Sequence, residues 1–208
     1  MRHCRFMLDN KGLIFVPFVK NIDVIVDLGA NVGAAAVLFS EWYPSARILS
    51  YEPCSIQFEA LKKNAKERPN IEPTQCGLSD KDESVDIGLS RGSGLANSIH
   101  IPINTNDHKE TIELRDAGTT LPADIDLLKV DTEGNEVPIF TAIGEKVSSI
   151  KVIYYEYHSE QDRIILEDLL SPSHILCNSL SQLPHLGDIC WVRKDLVPAS
   201  INARAIVR

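Results

Sequence analysis

The chain of 208 residues is 44% hydrophobic and 24% charged, an ordinary globular composition with enough apolar sequence for one full-sized core. Its formal net charge of −8 and its lack of a Lys/Arg cluster argue against a nucleic-acid partner. The apolar run Leu13–Val19 is too short to cross a membrane and contains Pro17. Five scattered cysteines without zinc or disulfide spacing indicate reduced thiols. We therefore expect one cytoplasmic domain over residues 1–208 without a membrane partner. These features are compatible with both a monomer and a homo-oligomer.

The predicted elements alternate between strands and helices at the start of the chain. A β-branched run predicts a strand over 22–28 that is buried on both faces. An alanine-rich segment closed by Pro44 predicts a helix over 33–43. There follow a strand over 47–51, a helix over 55–68 with Ser55 as its N-cap, and a third strand over 71–76.

The middle of the chain departs from this rhythm. Apolar and polar residues alternate in two segments within 84–116, which predicts inserted accessory strands around a Gly/Ser-rich loop. Strands and helices then alternate again, with a strand over 126–131, a helix over 135–143, a strand over 151–157, a helix over 160–170, and closing strands near 174–180 and 189–193.

Repeated strand–helix units with short connections predict an α/β fold with a Rossmann-like, doubly wound and mostly parallel sheet. The two closing strands have no helix between them, so we expect an antiparallel hairpin at one edge. Residues 1–20 are expected to form a short lead-in to the first strand. Since this lead-in is short, we expect an N-terminal segment that covers the substrate to be short or missing.

The turn after the first strand, in the segment VIVDLGANVG, indicates the ligand. The dinucleotide fingerprint G-x-G-x-x-G needs glycine at 29, 31 and 34, and only Gly29 fits. The pattern acidic-x-G-x-G-x-G fits at Asp27, Gly29 and Gly33, with Asn31 as the exception. An acidic side chain repels a pyrophosphate but suits a cationic ligand. S-adenosylmethionine has an ammonium, a sulfonium and no phosphate.

An acidic residue also closes the second predicted strand. Glu52 follows Asp27 by 25 positions (52 − 27), within SYEPCS. A carboxylate at that place accepts hydrogen bonds from both ribose hydroxyls in dinucleotide folds. Glu52 therefore predicts a nucleoside ligand, although it does not distinguish S-adenosylmethionine from NAD.

Three segments in this order resemble the FkbM family of S-adenosylmethionine-dependent methyltransferases: VIVDLGANVG, SYEPCSIQFEALKKN and DLLKVDTEGNE, with VIYYEYH as a weaker fourth. A G-A-N-x-G turn is typical of that family, which accounts for Asn31. The resemblance implies the class I methyltransferase fold, with a seven-stranded sheet that has one antiparallel strand. It also implies O-methylation of a hydroxyl on a sugar, a glycan or a polyketide-type small molecule.

Site residues follow from the same resemblance. The methionine end of the cofactor is expected near Asp27 and the turn, the ribose near Glu52, and the adenine near Ser79 and Asp80. The full set of expected cofactor contacts is Asp27, Gly29, Ala30, Asn31, Gly33, Glu52, Pro53, Ser79, Asp80 and Asp131.

The catalytic residues are expected after the fourth main strand, which would face the reactive methyl group. Asp131 and Glu133 are two residues apart, so one could act as a base while the other binds substrate hydroxyls. They could also share a divalent cation such as Mg²⁺, or merely cap the next helix. His158 is the best histidine for a general base, and Glu156 is either a buried acid or a substrate contact.

Two alternatives stay open. One is an NAD-dependent oxidoreductase on the same topology, which Asp27, Asn31 and Ala34 oppose. The other is a non-catalytic relative that binds the cofactor and transfers nothing. The loop Ser93–Ser98 could close over cofactor or substrate, or be plainly flexible.

Overall fold

The computed structural model describes residues 15–89, 108–183 and 185–199. These residues form ten strands: β1 (Val24–Leu28), β2 (Arg47–Tyr51), β3 (Ile71–Thr74), β4 (Gly77–Ser79), β5 (Glu83–Leu89), β6 (His108–Asp116), β7 (Leu127–Val130), β8 (Val152–Tyr157), β9 (His174–Leu183) and β10 (Leu186–Arg193). They also form five α-helices: α1 (Ala34–Trp42), α2 (Ser55–Ala65), α3 (Ala117–Thr120), α4 (Glu136–Ile143) and α5 (Glu160–Leu170).

Seven strands form the main sheet, in the order β3-β2-β1-β7-β8-β10-β9. All neighbouring pairs are parallel except those of β10, which is antiparallel to β8 and to β9. The predicted doubly wound, mostly parallel sheet with an antiparallel hairpin at one edge is confirmed. The prediction that residues 1–208 form one domain stays a prediction.

Helices cover both faces of this sheet. On one face, α1 lays small side chains against β1 and β2, with Ala35, Ala36 and Phe39 fully or almost fully buried. On the other face, α4 and α5 pack against β7 and β8. Because both faces are covered, β7 and β8 have no exposed position, as their apolar sequences predict.

The N-cap predicted for α2 is wrong. Ser55 is the first helical residue, and Cys54 occupies the cap position without capping the helix through its side chain. The backbone N–H of Ser55 donates instead to Glu110 Oε1 on β6, at 2.8 Å. A carboxylate from a distant strand thus satisfies a group that the local sequence assigned to a hydroxyl.

A second sheet of three strands, in the order β4-β6-β5, lies beside the main one. It contains the two accessory strands expected within 84–116, and the loop Ser93–Ser98 lies outside the described residues. Its buried side chains Ile87, Ile112 and Leu114 form a small apolar cluster with Cys54. This cluster is separate from the two large clusters on the faces of the main sheet.

The strand order fixes where a ligand can bind. Strand β1 has β2 on one side and β7 on the other, so the direction of the chain across the sheet reverses at β1. Open α/β sheets bind ligands at the carboxyl ends of their strands at such a reversal. Among the described residues, no helix has the length and apolar character needed to span a membrane.

Candidate active site

A cavity lies at the carboxyl ends of β1, β2 and β7, between the main sheet and the three-stranded sheet. It encloses about 850 Å³ of space, part of it open to solvent. Its lining residues include Gly29, Asn31, Glu52, Pro53, Leu78, Ile112, Leu114, Asp131, Glu133 and Asn135.

The turn after β1 has a left-handed backbone at three positions. Gly29 has a φ of +70°, and a Cβ there would lie 1.8 Å from the carbonyl oxygen of Asp131 on the neighbouring strand. Gly33 has a φ of +85°, and its Cβ would lie 2.6 Å from Leu61 Cδ1. Backbone geometry favours glycine at both positions, and at Gly29 the fixed backbone of Asp131 also leaves no space for a side chain.

Asn31 adopts the same left-handed conformation, with a φ of +51°. Asparagine tolerates this region better than other residues with a Cβ, because its short amide can bond to the nearby backbone. Here Asn31 Oδ1 accepts a hydrogen bond from the N–H of Val32 at 2.8 Å. Asparagine thus replaces a glycine in the turn without changing its course.

Glu52 is held in the cavity wall by two backbone donors. Its Oε2 accepts from Asn31 N–H at 2.8 Å and its Oε1 accepts from Cys54 N–H at 2.9 Å. Burial raises the pKa of Glu52, while these two hydrogen bonds favour the carboxylate. The Cys54 side chain also hydrogen-bonds to Glu52, and since a carboxylate offers about four acceptor sites, Glu52 can still accept from a ribose hydroxyl.

The opposite part of the cavity is apolar. Its lining there includes Leu78, Ile87, Ile112 and Leu114 of the three-stranded sheet, together with Pro53. Such a wall suits a flat heteroaromatic ring next to the hydroxyl-binding carboxylate. Of the two residues expected near an adenine, Ser79 is buried and Asp80 is exposed, and neither lines the cavity.

Asp27 lies outside the cavity, buried in the sheet beneath the turn. Its Oδ1 is 3.1 Å from Nζ of Lys129, and this Nζ is 3.3 Å from Asp131 Oδ2. Lys129 is 1% exposed. Burial alone would lower the pKa of Lys129, but the charges of Asp27 and Asp131 outweigh it and raise the pKa above its ordinary value. An ammonium group therefore connects Asp27 to the cavity through Asp131.

A second group of charged side chains follows β7 and β8. His158 Nε2 lies 3.2 Å from Glu133 Oε2 and 3.5 Å from Glu156 Oε2, while His158 Nδ1 lies 3.5 Å from Glu136 Oε2. Burial alone would lower the pKa of His158, but its contacts with Glu133 and Glu136 and the charge of Glu156 raise it to about 11. In this state His158 is an imidazolium, which has no lone pair to accept a proton.

Glu156 is the most strongly perturbed carboxyl group of this cluster. Burial raises its pKa well above the ordinary range, and the nearby charges of Asp131 and Asp188 act in the same direction. Glu156 is 8% exposed and hydrogen-bonds to Asp131. A protonated carboxyl beside a carboxylate avoids two adjacent buried negative charges.

The predicted site residues therefore fall into two groups. Those that line the cavity are Gly29, Asn31, Glu52, Pro53, Asp131 and Glu133. Those that lie outside its lining are Asp27, Ala30, Gly33, Ser79, Asp80 and His158. Ala30 packs on Phe58 and Leu61 behind the turn. The roles given to these residues stay predictions.

Sequence reasoning missed Lys129 and Glu136. A lysine within the apolar segment DLLKVD is a detectable signal, because a buried lysine needs an anionic partner and Asp27 and Asp131 are available. Glu136 gives no comparable signal. It looks like an ordinary acidic residue in the first turn of α4, although its side chain is buried.

Comparison with known proteins gives a family and two named relatives. The sequence model of the methyltransferase FkbM domain matches residues 27–171. Hexuronic acid methyltransferase AglP of Haloferax volcanii is 26% identical over 161 residues, which cover 74% of this chain and 63% of that protein. The 2-O-methyltransferase NoeI of Sinorhizobium fredii is 25% identical over 159 residues, covering 66% and 64%. The chain thus spans less than two thirds of the length of these curated relatives.

Among solved structures, fibrillarin of Aeropyrum pernix in complex with S-adenosyl-L-methionine is similar to this chain. The TM-score is 0.54 at 16% identity, and the match covers 88% of this chain and 71% of fibrillarin. At this level of identity the likeness concerns the fold alone. It confirms the expected Rossmann-like methyltransferase fold.

Proposed function

Since the chain belongs to the FkbM methyltransferase domain family, we propose that it transfers a methyl group from S-adenosylmethionine to a hydroxyl oxygen of a small molecule or glycan. The observation that carries this proposal is Glu52 at the end of β2, held by Asn31 N–H and Cys54 N–H in the wall of the cavity. A carboxylate fixed in this way suits a ribose, and the buried acids Asp27 and Asp131 near the turn after β1 would repel a phosphate.

The cofactor would lie across the cavity in a single orientation. Its adenine would pack on the apolar wall of Ile112, Leu114 and Leu78, and its ribose would bond to Glu52. Its cationic methionine end would then lie near Gly29 and Asp131. Asp27 would act on that end from beneath, through Lys129 and Asp131, rather than by direct contact.

The proposed reaction is an in-line displacement at the methyl carbon. The acceptor oxygen forms a bond to this carbon, the carbon–sulfur bond breaks, and its electron pair stays on the sulfur of S-adenosylhomocysteine. The hydroxyl proton passes to a carboxylate of Asp131 or Glu133, which both line the cavity. Because the raised pKa of His158 keeps it an imidazolium, a carboxylate is a better proton acceptor than His158.

The class of acceptor is supported by the two relatives. One is named for methylation of a hexuronic acid and the other for 2-O-methylation. A sugar, glycan or polyketide-type hydroxyl is therefore the acceptor that we propose. Isothermal calorimetry, followed by an acceptor screen over free sugars and glycosides, tests the two parts of the proposal in turn.

Calorimetry compares S-adenosylhomocysteine and NAD on the wild type, Glu52→Gln and Glu72→Gln. We expect the wild type to bind S-adenosylhomocysteine and Glu52→Gln to bind it about 10- to 100-fold more weakly, because charged hydrogen bonds to the ribose are lost. Glu72→Gln is the matched control, since Glu72 is an exposed partner of Arg47 on β3, away from the cavity lining.

Two outcomes would contradict the proposal. NAD binding without S-adenosylhomocysteine binding would favour the oxidoreductase alternative. Binding of S-adenosylhomocysteine without turnover of any acceptor in the screen would favour a non-catalytic relative.

A further inference from the structure

The loops that follow β7 and β8 bring three metal-ligand side chains together at the margin of the cavity. Glu133 comes from the first loop, and Glu156 and His158 come from the end of β8 and the residue after it. One ligand atom of each residue lies within 4.8 Å of the other two. Glu133 lines the cavity, and Glu156 contacts Asp131, which also lines it.

The spacing of these atoms suits one small cation. His158 Nε2 is 3.2 Å from Glu133 Oε2 and 3.5 Å from Glu156 Oε2. Adjacent ligands of an octahedral ion with bonds of about 2.1 Å lie roughly 3 Å apart. The two distances from His158 Nε2 are therefore close to the spacing of adjacent ligands, and the two carboxylate oxygens lie within 4.8 Å of each other.

The buried carboxylate of Glu136 is an independent observation that also points to a bound cation. Its Oε1 accepts from Thr132 N–H at 2.9 Å, Thr132 Oγ1 at 3.0 Å and Gly134 N–H at 3.3 Å. Its Oε2 is fully buried and, within the described part of the chain, makes no hydrogen bond. This oxygen lies 3.5 Å from His158 Nδ1, on the side of the ring away from Glu133 and Glu156.

This arrangement is the one that metal-binding histidines require. A ligating imidazole usually donates its second N–H to a carboxylate, which fixes the tautomer and the orientation of the ring. Glu136 is placed to accept from Nδ1, which leaves Nε2 directed toward Glu133 and Glu156. The carboxylate behind the ring is buried and anchored by three donors, so it is not a solvated acid that lies there by chance.

We propose that Glu133, Glu156 and His158 bind one divalent first-row metal ion, for which paramagnetic Mn²⁺ is a suitable probe. One imidazole and two carboxylates form a mixed set of ligands. Mg²⁺ and Ca²⁺ prefer oxygen ligands alone, whereas Mn²⁺ accepts both types. Metal binding requires a neutral imidazole and ionised carboxylates, so these three side chains would bind the ion in those forms.

The role of the ion rests on the proposed methyltransferase function. Bound at the margin of the cavity, it would coordinate the acceptor hydroxyl and make its proton easier to remove. Glu133 would then be a ligand, which leaves Asp131 to accept the proton. The oxygen–carbon bond forms as the carbon–sulfur bond breaks, so the ion changes neither the products nor the oxidation state of any atom.

Electron paramagnetic resonance of free Mn²⁺ tests the site on the whole chain at near-physiological ionic strength. We expect one tight site per chain in the wild type. His158→Ala and Glu133→Gln should weaken binding at least about tenfold, and Glu136→Gln about tenfold, because Glu136 acts as a positioning residue. Glu133 has a side chain that is 33% exposed, so its variant is expected to fold.

Matched controls separate ligation from general charge. His185→Ala removes an exposed histidine and Glu160→Gln an exposed acid, and both should bind Mn²⁺ as the wild type does. The proposal would be overturned if the wild type had no tight Mn²⁺ site, or if His158→Ala and Glu133→Gln bound Mn²⁺ as tightly as the wild type. S-adenosylhomocysteine binding is measured separately, so loss of the metal site and failure of the proposed function give different results.

Discussion

Lys129 is buried between two aspartates on adjacent parallel strands. Its Nζ lies 3.1 Å from Asp27 Oδ1 and 3.3 Å from Asp131 Oδ2, and 3.3 Å from the carbonyl oxygen of Gly29. An ammonium that contacts the turn after β1 and the end of β7 at once fixes the relative position of these two walls of the cavity. We infer that this lysine positions Asp131 as well as neutralising it.

This arrangement predicts a large loss of stability in Lys129→Met. The substitution preserves most of the side-chain volume but leaves Asp27 and Asp131 buried without their cation. Breaking such a pair typically costs about 3–5 kcal/mol of unfolding free energy. Urea denaturation should show this loss in Lys129→Met and a partial recovery in the double variant Asp27→Asn, Lys129→Met.

Lys151→Met is the control for this prediction. Lys151 pairs with Asp126 at 2.7 Å, but its side chain is 23% exposed, so its loss should cost about 1 kcal/mol or less. If both lysine variants lost the same unfolding free energy, burial of the Lys129 ion pairs would not add to their contribution to stability.

The turn between β1 and α1 predicts a sharp difference between two glycine substitutions. Gly29→Ala forces a methyl group onto the carbonyl oxygen of Asp131 and also strains a backbone with a φ of +70°. Gly144→Ala also strains the backbone, with a φ of +59° and a ψ of −134°, but no atom outside its chain neighbours lies within 4 Å of the added carbon.

We expect Gly144→Ala to lower the unfolding free energy by about 1–2 kcal/mol, and Gly29→Ala by about 3–5 kcal/mol because steric overlap is added to strain. Binding of S-adenosylhomocysteine should be lost in Gly29→Ala and retained in Gly144→Ala. Urea denaturation and calorimetry measure both effects. A Gly29→Ala protein as stable as Gly144→Ala would mean that β1 and β7 can separate at little cost.

The elements near this turn could be predicted from sequence because their signals are local. The β-branched run gives β1, and the spacing of Gly29, Gly33 and Glu52 gives the turn and the acid at the end of β2. Asn31 was explained only by family resemblance, and its left-handed backbone supplies the physical reason. The helix α5 was predicted with its observed bounds, since its N-terminus is marked by Ser159, which caps Asp162 N–H at 3.0 Å.

Features that depend on distant parts of the chain could not be predicted in this way. The bonds of Glu136 to Thr132 and Gly134 are local, but its burial against His158 follows from the pairing of β7 with β8. The apolar wall of the cavity comes from β5 and β6, whose sequence pattern shows alternation but not the surface that they cover. The strand ends at the site could therefore be predicted from sequence, whereas most of the side-chain contacts there could not.

The cavity is formed by two sheets whose apolar cores differ greatly in size. Helices and main-sheet strands share two large buried clusters, whereas the three-stranded sheet contributes the small cluster of Cys54, Ile87, Ile112 and Leu114. Regions with fewer buried apolar contacts open at lower free energy than the global unfolding reaction. We therefore expect β5 and β6 to open locally while β1 and β7 stay folded.

Amide hydrogen exchange tests this expectation and its link to the ligand. Without ligand, the amides of β5 and β6 should exchange faster than those of β1 and β7. Because opening of β5 and β6 removes one wall of the cavity, S-adenosylhomocysteine at 100 times its Kd should slow their exchange about 100-fold, or about 2.7 kcal/mol. The edge strand β9 lies at the far side of the main sheet and serves as the internal control. Its local opening leaves the cavity intact, so equal slowing in β9 and β6 would contradict a ligand-coupled opening of the three-stranded sheet.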